Sequence, residues 1–243
     1  MPCPGVVPPG PPRGRVTVVK QIHALWGSDQ QALLSPELGE ELRRLGASRL
    51  QVNLDDHRVA DAQLRLTAFD RAPDAVVSVW SEDGDTAGPV ADALGRYVAT
   101  VAGWTVEERV PLEPPAATDG QPLEALSNVA FLRRPDEMTP EAWRSRWLEH
   151  HTRVAIDTQA TFGYVQNVVT ARITGPEDLP RVDGIVEELF PLAATTDLHA
   201  FYGSGGDEDE LARRLQEMMA SVGTFGADRD LTVLPTTRRT QEL

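Results

Sequence analysis

Two tryptophans and a histidine recur at four-residue steps within the segment Phe131 to Val169, at Trp143, Trp147 and His151. At about 100° per residue on a helix they share a narrow arc with Val154, so His151 belongs to an apolar stripe and not to the wet face. Burial beside indole disfavours imidazolium and lowers the pKa, leaving a neutral ring that can accept a proton at pH 7. Such a ring suits removal of an acidic C–H proton next to a carbonyl, or of a phenol proton, and needs no metal. The same pattern also describes a core histidine held by a backbone carbonyl, with the two tryptophans filling space.

Other chemical signals dissolve on inspection. Adjacent His150 and His151 point about 100° apart, whereas helical chelation uses spacings of three or four, so they are not a metal pair. His150 reads as a partly solvated neighbour of Arg146. Gly203-Ser204-Gly205-Gly206 looks like a phosphate cradle, but Asp207, Glu208, Asp209 and Glu210 occupy that helix start and would repel an anion. These acids lack the interrupted spacing of a calcium loop. His23, His57 and His199 read as structural or solvated, with His23 within reach of a pocket in the first half. No GxSxG elbow, Walker sequence or GxGxxG occurs, so hydrolase, kinase and nicotinamide chemistries have no local support.

Composition narrows the partners. The 243 residues carry 37 acidic against 23 basic side chains and a net charge of −14, which disfavours nucleic acid. A single cysteine, Cys3, rules out an internal disulfide framework and fits a reducing cytoplasm. Prolines crowd residues 1–14, favouring an extended tail, and the opening has no basic and apolar signal pattern. No run approaches the roughly 18 apolar residues of a membrane span.

The elements that must position His151 come in a repeated order. A strand over Val16 to Ile22 precedes a helix starting at Ser35-Pro36-Glu37, with Leu38, Leu42 and Leu45 on one face and Gly46 as the stop. In the second half, a strand over Ala125 to Leu132 precedes a helix starting at Thr139-Pro140-Glu141. Both starts combine a hydroxyl cap, a first-turn proline and a glutamate at the positive dipole end. Strands follow at Ser48 to Leu54 and Ala75 to Trp80, then at Tyr164 to Ile173 and Gly184 to Phe190. Each half closes with a helix and a strand: Pro89 to Val101 and Trp104 to Val110, then Glu208 to Val222 and Leu231 to Leu234. The order is β-α-β-β-α-β twice, predicting an α+β protein of two ferredoxin-like repeats packed as an intramolecular α+β barrel. The expected divisions are a disordered proline-rich tail (1–14), a degenerate repeat (15–112), a linker (113–124) and a second repeat (125–243).

The segments Phe131-Leu132-Arg133-Arg134, Thr139-Pro140-Glu141, Trp147 with His151, and Tyr164-Val165-Gln166-Asn167 resemble the EthD family of dimeric α+β-barrel proteins. Val182-Asp183-Gly184-Ile185-Val186-Glu187 is similar to that family's strand entering the second helix. The likeness spans Ser127 to about Thr236; the first half resembles the family only as a worn copy without the tryptophan and histidine pair. The family usually has a proline two residues past the histidine, where this chain has Arg153. The resemblance implies a pocket between helix and sheet. It also implies kinship with cofactor-free enzymes of aromatic polyketide metabolism (cyclases, dehydratases and decarboxylases) and with accessory proteins of degradation pathways.

The expected function is therefore a cofactor-independent enzyme of cyclase, dehydratase or decarboxylase type on an aromatic or polyketide-like substrate. His151 would be the general acid or base, Tyr164 a donor to a developing enolate, and Asp183 or Glu187 the group that orients the imidazole. Trp143, Trp147, Phe131 and Phe190 are the candidate ligand wall. The competing expectation is a non-catalytic protein that binds an apolar or aromatic small molecule. Because one chain would supply both sheets, a monomeric barrel or a homodimer of barrels is expected.

Overall fold

The computed structural model describes residues 18–82, 86–117 and 119–243. The proline-rich segment 1–14 with Cys3, and Val16 at the head of the first expected strand, lie outside the described residues. The first half contains β1 (Val19–Trp26), α1 (Gln30–Leu33), α2 (Pro36–Arg44), β2 (Ala47–Leu54), β3 (Ala75–Ser81), α3 (Ala87–Leu94) and β4 (Thr100–Leu112). In the second half, β5 (Ala125–Leu132) leads into α4 (Pro140–Ser145), a π-helical turn (Arg146–His151) and α5 (Thr152–Thr158). Then come β6 (Gly163–Thr174), β7 (Gly184–Pro191), a 3-10 turn (Leu192–Thr195), α6 (Leu198–Tyr202), α7 (Glu208–Gly223) and β8 (Thr232–Glu242).

Both anticipated caps form. The Ser35 hydroxyl accepts from the Leu38 amide and that of Thr139 from the Ala142 amide, each with proline in the first turn behind it. The eight strands close into one antiparallel barrel in the order β1-β3-β2-β8-β5-β7-β6-β4. Pairing of β2 with β8 and of β4 with β6 joins the two four-stranded arrays, so no strand edge of the barrel is left unpaired.

Alternation along each strand sends one set of side chains into the barrel and the other under the helices. The inward set has an apolar group, including Ile22, Trp26, Trp104, Phe131, Ile185 and Leu234. It also has a polar group centred on Glu187, which pairs with Lys20 at 2.6 Å and accepts from Gln51 and Asn167. Outward apolar residues of β2 and β3 pack against Leu38 and Leu42 of α2 and Val90 and Leu94 of α3. Those of β5, β6 and β7 meet Trp143, Trp147, Phe201 and Met218 from the second set of helices.

Three expectations need correction. The helix expected over Pro89 to Val101 ends at Leu94, where Gly95 caps it. Val101 instead pairs with Leu25 in β4, although Tyr97 and Val101 still reach the same core from the non-helical chain. The last strand does not stop at Leu234 but runs to Glu242, because its polar residues Thr236 and Arg238 face a polar barrel interior and stay buried. Val154 is not on the inward face. The wide π turn inserts a residue into the helical phase, so Thr152, Ala155 and Thr158 turn inward and Val154 is only half-buried. No described helix is long and apolar enough to cross a membrane.

Candidate active site

The π turn is fastened to the sheet beneath it. The Thr152 hydroxyl donates to the carbonyls of Trp147 (3.2 Å) and Leu148 (2.9 Å) and accepts from the Gln166 amide at 2.8 Å. Trp147 lies over Gly184 at the start of β7, where a Cβ would stand 2.5 Å from the indole ring. Only a residue without a side chain lets the tryptophan settle on the strand. With the helix so fixed, Trp147 and His151 point at the outer faces of β5, β6 and β7.

Between them lies a cavity of about 410 Å³, within the roughly 300–1,000 Å³ usual for small-molecule sites. Its floor includes Tyr164 of β6 and Val186 and Glu188 of β7, and α6 adds Phe201 and Tyr202. The loop joining β2 to β3 crosses from the first half to its mouth, tied down where Leu66 and Val233 exchange backbone hydrogen bonds of 3.2 and 2.9 Å. Leu64 and Leu66 from that loop, with Met219 of α7, form an apolar rim that stays 40–55% exposed.

His151 is 8% exposed, and burial lowers its pKa to about 4, so the ring is neutral at pH 7. Its Nδ1 lies 2.9 Å from the Ser221 hydroxyl of α7, and its ring is 4.7 Å from that of Phe225. Nε2 has no protein hydrogen-bond partner among the described residues. Glu188 faces the same cavity, and burial raises its carboxyl to about 7. Tyr164 stands directly across from it in the β6–β7 ladder; burial, reinforced by the Glu188 charge, pushes the phenol well above its ordinary pKa and keeps its proton in place. Tyr202 is raised by the same two causes in the same order. The cavity therefore presents a neutral base on the helix wall and, on the sheet wall, the Tyr164 phenol and a Glu188 carboxyl that gives up its proton only near pH 7.

The structure brings His151, Tyr164 and Trp147 together and separates the other expected residues from them. Trp143 packs at a tilt behind Trp147 with ring centres 4.8 Å apart, and Phe190 stacks behind Phe201 at 4.1 Å; neither lines the cavity. Phe131 points into the barrel against Phe69 and Trp104. Asp183 accepts from the Arg134 amide and the Arg181 guanidinium on the outside of the fold. Glu187 also points into the barrel. Burial there raises its pKa, but the charges of Lys20 and Arg238 and the bonds from Lys20 and Gln51 outweigh this and hold it down at about 2. Neither acid orients the imidazole; Ser221 does. Glu188 was missed by one place in the strand, and its alternation with Val186 and Phe190 is the signal that finds it. His23 is fully buried on β1 against Gly103 and lines none of the described cavities.

Residues 135–216 match the family model of the EthD domain. No curated protein sequence matches this one. Among solved structures, the chain is similar to an anthrone oxidase-like protein, over 92% of this chain and 93% of that one, at 9% identity and a TM-score of 0.56. A protein of Lactobacillus acidophilus described as a monooxygenase is similar over 93% and 99% of the two chains, at 9% identity and a TM-score of 0.48. Chlorite dismutase from Candidatus Nitrospira defluvii is similar over 90% of each chain, at 12% identity and a TM-score of 0.47.

Proposed function

From the EthD domain over residues 135–216 and the cavity built on it, we propose that this protein is a cofactor-independent acid/base enzyme of cyclase, dehydratase or decarboxylase type. Its substrate is an aromatic or polyketide-like carbonyl compound. One observation carries the reading: an imidazole and a carboxyl face one largely apolar cavity, and burial pushes their two pKa values past each other, so that both are neutral between about pH 4 and 7. His151 Nε2 takes a proton from carbon next to the substrate carbonyl. The enolate oxygen that forms accepts from the Tyr164 hydroxyl and the Glu188 carboxyl, and Glu188 supplies a proton to a departing hydroxyl or to the oxygen. Trp147 and Phe201 supply flat apolar walls for a ring system.

The two halves share the strand order fourth, first, third, second, which supports reading 15–112 and 125–243 as two copies of one unit. In that reading the first copy has kept the architecture, lost the site, and now contributes the loop at the cavity mouth. One chain closes the barrel, so its two halves together suffice to form the pocket.

Anthrone, a tricyclic ketone with an acidic methylene, is a suitable probe. Catalysed exchange of its methylene protons with D₂O, followed by NMR, should rise as pH passes about 4 and fall as it passes about 7. His151→Gln should lower the rate roughly 100-fold with little change in melting temperature. Saturable anthrone binding with an unchanged exchange rate in that variant would reject the enzyme and favour a protein that only holds its ligand.

A further inference from the structure

His151 and Ser221 stand on two sides of one wall. His151 lines the cavity and is absent from the groove that runs along the outside between the π turn and α7. Ser221 lines that groove, with Ser145, His150, Val154 and Glu217, and is absent from the cavity lining. The 2.9 Å contact between His151 Nδ1 and Ser221 Oγ is the link across the wall. Ser221 itself is half-buried, so its hydroxyl meets the imidazole on one side and the groove on the other.

A ligand in the cavity covers Nε2 and, held under the Leu64 and Leu66 loop, closes the short way to solvent. A base that takes up a proton there needs another way to exchange it. We propose that Ser221 is a proton relay, passing protons between the cavity-facing imidazole of His151 and water in the outer groove. The proposal rests on the acid/base reading of His151 given above.

Nε2 accepts the substrate proton and the ring becomes imidazolium. Nδ1–H then donates its proton to Ser221 Oγ while the serine hydroxyl hands its own to a groove water, His150 or Glu217. The ring is left neutral with the substrate proton on Nε2; as that proton passes to the product, Ser221 hands its hydroxyl proton to Nδ1 and takes another from the groove, which restores Nδ1–H without forming imidazolate. The proton lost from carbon is matched by one released to the groove, and the proton returned to the product by one taken from it, with no change of oxidation state. Arg146 also lines the groove, and Tyr164, Glu188, Tyr202, Asp228, Arg229 and Asp230 are the charged or titratable groups that share the cavity lining with His151.

Ring ¹⁵N-labelled protein permits a direct test on the whole chain without ligand, with His150→Gln used to assign the His151 signals. In wild type the Nδ1–H proton should exchange with water through Ser221. Ser221→Ala should slow that exchange at least tenfold, and Ser221→Thr, which keeps the hydroxyl, should return it to within about threefold of wild type. Exchange in Ser221→Ala as fast as wild type, or no recovery in Ser221→Thr, overturns the relay. Anthrone exchange in the same variants separates the two ideas. If His151→Gln leaves it unchanged while Ser221→Ala still slows N–H exchange, the enzyme reading falls and the proton path stands. If His151→Gln abolishes it while Ser221→Ala alters neither measurement, the relay alone falls.

Discussion

Replacing Glu188 with glutamine should make the protein more stable above pH 7 and leave it nearly unchanged near pH 4.5. Burial lifts the carboxyl to about 7 in the folded chain from an ordinary value of 4.5. Between those two values the folded state binds more protons than the unfolded one, so this group's contribution to stability is full below 4.5 and is lost as pH rises to 7. That separation, at roughly 1.4 kcal/mol for each tenfold change in proton affinity, gives an upper figure of about 3.5 kcal/mol. Glu188 is only half-buried and water entering the cavity solvates its charge, so about 1–3 kcal/mol is the expected gain for Glu188→Gln at pH 8. Glutamine has the shape of the protonated acid and cannot ionise. Urea unfolding of both proteins from pH 4.5 to 8.5 checks this, because buried His23 and His151, which titrate with the opposite sign, cancel in the difference. A stability difference that stays flat with pH, or that favours wild type at high pH, would refute the placement of this carboxyl in a desolvating wall.

Gly184→Ala should destabilise by about 1–3 kcal/mol, since its Cβ would meet the Trp147 ring at 2.5 Å; fluorescence-monitored denaturation should show both the loss and a shifted tryptophan signal. Lys20→Met should cost about 3–5 kcal/mol by leaving Glu187 buried without its nearest cation, and adding Glu187→Gln should recover much of that in a double-mutant cycle. Thr139→Ala should lower stability by about 1 kcal/mol through loss of the cap on the Ala142 amide, measured as a drop in urea midpoint at constant slope.

Much of the framework is legible because local rules agree with one another. The strand over Ala125 to Leu132 has the expected bounds, and Ser35-Pro36-Glu37 and Thr139-Pro140-Glu141 start helices where their cap chemistry places them. The site was harder for identifiable reasons. In β7, Ile185 to Phe190 has both faces covered, one by the barrel interior and one by helices, so apolar residues sit on both and the alternation that separates Glu187 from Glu188 is masked. The π turn changes the helical phase without a composition signal, which is why Trp143, Trp147 and His151 were aligned correctly and Val154 was not. Leu64 and Leu66 reach the cavity from a loop about a hundred residues away in sequence, a contact that barrel closure creates and no local pattern encodes.

Lys20 is the one lysine of the sequence, and its buried ammonium is held at 2.6 Å from Glu187 inside the barrel and 2.9 Å from Glu108, which reaches the surface. Amine-selective reagents and lysine-directed proteases thus find no side chain to attack while the strands stay zipped. The rate at which such an agent reacts with this side chain becomes a clock for the opening of the strands around it, read from a single atom without any engineered label.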